Sequence, residues 1–188
     1  PSDVYKRQQR HQCLHIEFRS GILRLASPQF MSADTSDEQP TLAHVLSVRA
    51  RQQPQRTAYV FLLDGEHERV EFTYAALELA ARKWAAKIAT VAEPGDRILL
   101  VLPPGLDLIA AFYGALYGGF VAVPAYPPRG DRQITKLKGV AANAKPSVMI
   151  TAPDPRTGAI SGFDSDWSMA VLTPQEVAAT AEPLPPMD

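Results

Sequence analysis

Apolar residues recur along this chain with three different periods, and each period predicts a different kind of element. Leu42, Val45, Leu46 and Ala50 fall at spacings of three and four, which puts them on one side of a helix with Thr41 as N-cap and Pro54 closing the run. Residues 57–73, TAYVFLLDGEHERVEFT, alternate instead, and the Asp64-Gly65 pair between the two halves predicts a β-hairpin. From Thr73 the helical period returns through Tyr74, Leu77, Ala81, Trp84 and Ile88. Arg82, Lys83 and Lys87 lie on or beside the opposite, solvated side, and Trp84 reads as core.

A third pattern begins after the Pro94-Gly95-Asp96 turn. Residues 97–102, RILLVL, are almost wholly apolar, as in a strand covered on both faces. Pro103-Pro104-Gly105 ends that strand, a helix over 106–117 follows, and Gly118-Gly119 turns the chain into a short strand over 120–123, expected to be buried. Strand, helix and strand with short connections predict a parallel βαβ unit with a right-handed crossover. The pattern repeats: Ile134, Leu137, Val140 and Ala141 mark a helix before Pro146, and residues 147–150 a buried strand. Residues 167–172 read as one more strand, Thr173-Pro174 as the start of a short helix, and Pro183 to Pro186 as linker. The expected fold class is α/β: βαβ units with a mostly parallel sheet, plus an N-terminal helix and β-hairpin.

The uncharged run at 108–125, LIAAFYGALYGGFVAVPA, approaches the length of about 18 apolar residues that raises a transmembrane reading. Gly118-Gly119 splits it where a helix would end, so a helix followed by a strand explains the same letters and no transmembrane segment is expected. Composition adds little: 46% hydrophobic and 21% charged residues with a net charge of -1 suit a globular chain and give no reason to invoke nucleic acid. One cysteine, Cys13, excludes an internal disulfide, so a reducing, cytoplasmic setting is expected.

Residues 1–30 carry five basic residues against Asp3 and Glu17 and lack sustained periodicity. They are expected to be a non-native or disordered leader, with the native start at Met31 and Cys13, His11 and His15 incidental; a basic targeting arm is the competing reading. Residues 31–40 form a polar lead-in.

Chemistry-bearing motifs are sparse. There is no GxxxxGK[ST] or GxGxxG phosphate cradle, no GxSxG elbow and no HExxH. The run Thr157-Gly158-Ala159-Ile160-Ser161-Gly162 has suitable residue types but no lysine. His44 and His67 are expected at the surface. In a doubly wound sheet, ligands meet the loops at the carboxyl ends of the strands, here 103–105 and 124–131. The second loop is stiffened by Pro124, Pro127 and Pro128, which lack a donor for a central ladder.

Residues 56–66 (RTAYVFLLDGE), 72–82 (FTYAALELAAR), 94–129 (PGDRILLVLPPGLDLIAAFYGALYGGFVAVPAYPPR) and 134–151 together resemble the start of a fatty-acyl-AMP ligase, in the adenylate-forming superfamily. The resemblance implies that 41–172 is a truncated N-terminal subdomain of an AMP-dependent synthetase/ligase and that 173–188 is a Pro-rich linker toward the remainder. It implies a parent enzyme that uses ATP and Mg2+ to form an acyl-adenylate from a fatty acid and passes the acyl group to the phosphopantetheine thiol of an acyl carrier protein. The family's phosphate-gripping loop and later ATP-site residues fall outside these segments, so no catalytic, cofactor-binding or metal residue is carried over. Tyr126, Pro127, Pro128 and Arg129 are the candidate substrate-side loop. The alternatives are a fragment of an acyl-CoA synthetase and a non-catalytic α/β module that binds an acyl chain or a partner.

Overall fold

A computed structural model describes residues 40–153, 167, 169–180 and 182–187. The expected leader at 1–30, most of the lead-in and the Thr157 to Gly162 run lie outside the described residues. Four parallel strands form the central sheet in the order β4-β3-β5-β6: β3 (Arg97–Val101), β4 (Val121–Pro124), β5 (Val148–Thr151) and β6 (Ala170–Leu172). The α/β expectation holds, including the hairpin of β1 (Thr57–Leu62) and β2 (Arg69–Thr73) and the helix before it, α1 (Leu42–Gln52).

Alternate residues of the central strands face opposite layers. Ile98, Leu100, Val148, Ile150 and Leu172 pack against Trp84 and Ile88 of α2 (Tyr74–Ile88), Ala110, Ala111 and Ala115 of α3 (Leu106–Tyr117), and Val177 of α5 (Pro174–Thr180). On the other face Leu99, Val101 and Met149 meet Leu137 and Ala141 of α4 (Asp131–Ala144). β3 and β5 are central and nearly sealed, which is why their letters show no alternation.

Helix ends follow their residues. Thr41 Oγ1 accepts from the His44 N–H at 3.1 Å, and Thr73 Oγ1 accepts from the Ala76 N–H at 3.2 Å. Thr173 and Glu176 cap each other, with the Thr173 N–H donating to Glu176 Oε2 at 2.7 Å. At the end of α3, Gly119 takes φ 75°, its N–H reaching Leu116 O and the Phe120 N–H reaching Ala115 O. That double bond pattern requires the left-handed conformation that glycine adopts freely.

Several local expectations change. On α1 the buried positions are Ala43, Leu46, Ser47 and Ala50, while Leu42 and Val45 are exposed. Small side chains let α1 lie close to its neighbours, and that turns the helix by about one position. Val140 of α4 is likewise exposed. The hairpin is not closed by a tight two-residue turn. Only Gly65 has positive φ, and Asp64 Oδ1 accepts three backbone N–H bonds, from Glu66, His67 and Glu68, each at 2.9 Å. The Asp64 carboxylate thus organises a longer loop, and the Glu66 and His67 amides hold its pKa below the ordinary carboxylate value.

Among the described residues β4 stands at the edge of the sheet, and it is not a buried strand, with Val121 and Pro124 exposed. Pro124 belongs to the ladder, opposite Leu100. Val121 N–H donates to Asp96 O and Ala125 N–H to Leu100 O, so these N–H groups face β3. Pro124, one residue from Ala125, has its missing donor on the open side, the one place a strand tolerates it.

Candidate functional site

The two βα connections beside one another leave in opposite directions. After β3 the chain enters α3 on one face of the sheet; after the adjacent β4 it enters α4 on the other. Their carboxyl ends therefore flank a crevice of the kind where open α/β sheets hold ligands. The loop carrying Tyr126, Pro127, Pro128 and Arg129 follows β4 at that end of the sheet. Tyr126 is 84% exposed, Arg129 is exposed, and the two prolines are half-buried. The loop has few free donors: the prolines have none, and the Arg129 N–H is committed to Gln133 Oε1 at 2.6 Å, fixing the entry to α4.

The connection after β3 lines a neighbouring groove of about 250 Å3. Pro103, Pro104, Gly105 and Asp107 form one side and Phe61, Leu63 and Val70 of the hairpin the other, with Ala152 beyond β5. The groove is apolar except for Asp107, and the four loop residues from Tyr126 to Arg129 do not line it. The rim therefore presents two separate features, a stiff aromatic loop and an apolar groove. A larger cavity of about 520 Å3 lies at the other end of the sheet, bordered by Lys138, Lys145, Trp167 and Met169 at the amino ends of β5 and β6.

Among the described residues, catalytic chemistry is incomplete. Among the described residues, no group of three or more His, Cys, Asp or Glu is placed to hold a metal ion. Asp107 and Asp131 sit in the first turns of α3 and α4 without a second carboxylate in the same turn. These residues do not by themselves fit a magnesium-bound triphosphate. His67 is exposed beside Glu66, with Nδ1 3.6 Å from Oε2.

Away from the rim lies a polar pair, a buried Glu78 and a half-buried Tyr117, that the sequence reading passed over. Tyr117 of α3 donates from its hydroxyl to Glu78 Oε1 of α2 at 2.6 Å. Burial first, and the Glu78 carboxylate second, push the Tyr117 pKa up. Glu78 follows Leu77 and precedes Ala81 within the apolar stripe of α2, and that position was the available signal. Arg82 is also only part of a solvated side: its Nε donates to Leu184 O.

Parallel strands wound in both directions, with loops gathered at their carboxyl ends, define a ligand-binding α/β layer. The chain belongs to the AMP-binding enzyme family, whose pattern matches residues 46–184. It is 39% identical over 114 residues to the medium-chain-fatty-acid--[acyl-carrier-protein] ligase JamA of Moorena producens, covering 59% of this chain and 19% of that protein. With the long-chain-fatty-acid--AMP ligase FadD32 of Mycolicibacterium smegmatis it shares 33% over 113 residues, covering 60% and 18%. Among solved structures it is similar to a fatty acyl-adenylate ligase from L. pneumophila in complex with acyl adenylate and pyrophosphate, at 30% identity and TM-score 0.65, covering 79% of this chain and 26% of that one. The resemblance to fatty-acyl-AMP ligases therefore holds, and the chain spans about a fifth of the length of the curated relatives it matches. No described helix is long and apolar enough to cross a membrane.

Proposed function

We propose that this chain is the N-terminal part of an ATP-dependent enzyme that activates fatty acids, and that alone it does not complete the reaction. The observation that carries the reading is the match to a solved ligase with acyl adenylate and pyrophosphate, across most of this chain but only a quarter of that one. In the parent, a fatty carboxylate oxygen would bond to the α-phosphorus of ATP as pyrophosphate leaves. A carrier-protein thiol would then take the acyl group and release AMP. Mg2+ would neutralise phosphate charge, but the residues that hold it belong to other parts of the parent.

On this reading residues 41–172 are the truncated N-terminal subdomain and 173–188 lead toward the remainder. Tyr126, Pro127, Pro128 and Arg129 form the substrate-side loop, and the parent works in the cytoplasm. The contribution of this part is positioning, through a rigid sheet and a proline-stiffened rim.

The test is ATP–pyrophosphate exchange with a fatty acid, measured on this 188-residue chain and on a parent extended to the length of its relatives. Exchange is expected in the parent alone. Exchange by the short chain would overturn the fragment reading. Transfer by the parent to free CoA, with none to a carrier thiol, would overturn the carrier assignment in favour of an acyl-CoA synthetase.

A further inference from the structure

The segment 182–187, Glu-Pro-Leu-Pro-Pro-Met, returns to the body of the protein and lies against α1 and α2. Its sequence constrains its shape. Pro183, Pro185 and Pro186 each fix φ near about -65°, and the residues before them are driven toward extended backbone, so the stretch favours a polyproline II helix with about three residues per turn. In such a helix the carbonyls of Leu184 and Met187, three residues apart, face the same side.

Those two carbonyls are the ones held. Arg82 Nε of α2 donates to Leu184 O, while the Leu184 N–H donates to Arg82 O at 3.4 Å. Ser47 Oγ of α1 donates to Met187 O at 3.1 Å, and an Arg51 guanidinium nitrogen donates to the same oxygen at 2.6 Å. Ser47 and Arg51 are one turn apart on α1, matching one carbonyl, while Arg82 on α2 reads the other. The strap thus joins two helices that also meet directly, through Leu46 of α1 against Leu77 and Ala81 of α2.

Its far end also closes a polar site. The Met187 backbone and Ser47 lie in the environment of the Tyr117 hydroxyl, where hydrogen bonds from both lower the pKa that burial and Glu78 raise. The half-buried Tyr117, bonded to the buried Glu78, therefore adjoins the strap terminus.

The geometry points to a latch: the α1/α2 groove is a docking site for a polyproline II segment, occupied by the chain's own residues 182–187, and occupancy holds α1 in place and keeps the Tyr117 and Glu78 pair dry. When the strap leaves, α1 loosens first while the central sheet stays intact. This goes beyond the ligase reading and does not depend on it, because the measurements below need neither ATP nor acyl substrate.

The experiment compares the full 188-residue chain with Arg82→Gln, Arg51→Gln and the double variant, by hydrogen exchange of individual amides and by ultraviolet titration of tyrosine. Lost charge-assisted bonds predict exchange in α1 faster by about tenfold in the double variant, with β3 and β5 unchanged. The high-pH tyrosine titration should also move for the hydroxyl that Tyr117→Phe removes. Unchanged α1 exchange in a folded double variant would overturn the latch. So would acceleration in α1, β3 and β5 by the same factor, which would make the strap a general stabiliser. If the double variant does not fold, Leu184→Gly serves in its place, because it frees the backbone between the prolines while leaving both arginines, and the same two outcomes decide.

Discussion

The two faces of the central sheet are built differently. One is covered by α2, α3 and α5, with Trp84, Ile88 and the alanines of α3 closing over Ile98, Leu100 and Ile150. On the other, among the described residues, α4 is the one helix packed over Leu99, Val101 and Met149, with Trp167 and Met169 partly covering its margin, and the 520 Å3 cavity opens beside them. Equal burial of the strands thus hides unequal packing of the layers. The crowded face has little room to adjust, whereas the α4 face can relax around a lost side chain.

Leu100→Ala and Leu137→Ala test that difference most directly. The first removes a fully buried side chain from the crowded face and is expected to cost about 3 to 4 kcal/mol; the second is expected to cost about 2 kcal/mol because the α4 margin can collapse. Urea unfolding of the two variants checks it, and equal losses would show that the layers are equally rigid.

A pair of glycines should give opposite signs. A Cβ on Gly114 of α3 would sit 2.3 Å from Trp84 Cβ and 2.9 Å from Ala81 O, so α2 and α3 would have to separate. Gly114→Ala should lose about 2 kcal/mol. Gly139 of α4 has nothing within 4 Å of its Cβ position, and Gly139→Ala should gain about 0.5 to 1 kcal/mol through helix propensity. Thermal melts of both variants read the signs directly.

A further effect concerns pH. Tyr113 of α3 has its pKa pushed up to about 12, chiefly by burial and then by its hydrogen bond with Tyr59. An unfolded tyrosine ionises near 10, so the stability this environment supplies is complete below about pH 10 and lost as pH rises toward 12. Subtracting the stability profile of Tyr113→Phe from that of the unmodified chain should isolate a slope confined to this window.

Legibility in the sequence followed the same asymmetry. The helix expected over about 106–117 is α3, because Pro103-Pro104-Gly105 and Gly118-Gly119 are local signals at both ends. The near-continuous apolar letters of β3 and β5 reported burial on both faces. Where contact partners decide, periodicity fell short: Leu42 and Val45 lie beside the stripe on α1, since alanine and serine define its close face. β4 was misplaced because an edge strand and a central one share the same apolar letters. The hairpin loop differed because the three bonds to Asp64 Oδ1 are set by a backbone path that Asp-Gly alone does not specify. The rim loop was legible as a stiff turn from its prolines, but the crevice beside it depends on α3 and α4 covering opposite faces, a tertiary property.

Pro124 has one more consequence. An exposed sheet margin is a template on which a strand from another molecule can pair, and β4 offers that margin with Val121 exposed beside it. Pro124 leaves a gap in the outward row of donors without disturbing the bonds to β3, removing one bond that an added strand would need. A single ring thus favours the sheet's own partner and discourages fibrous self-association.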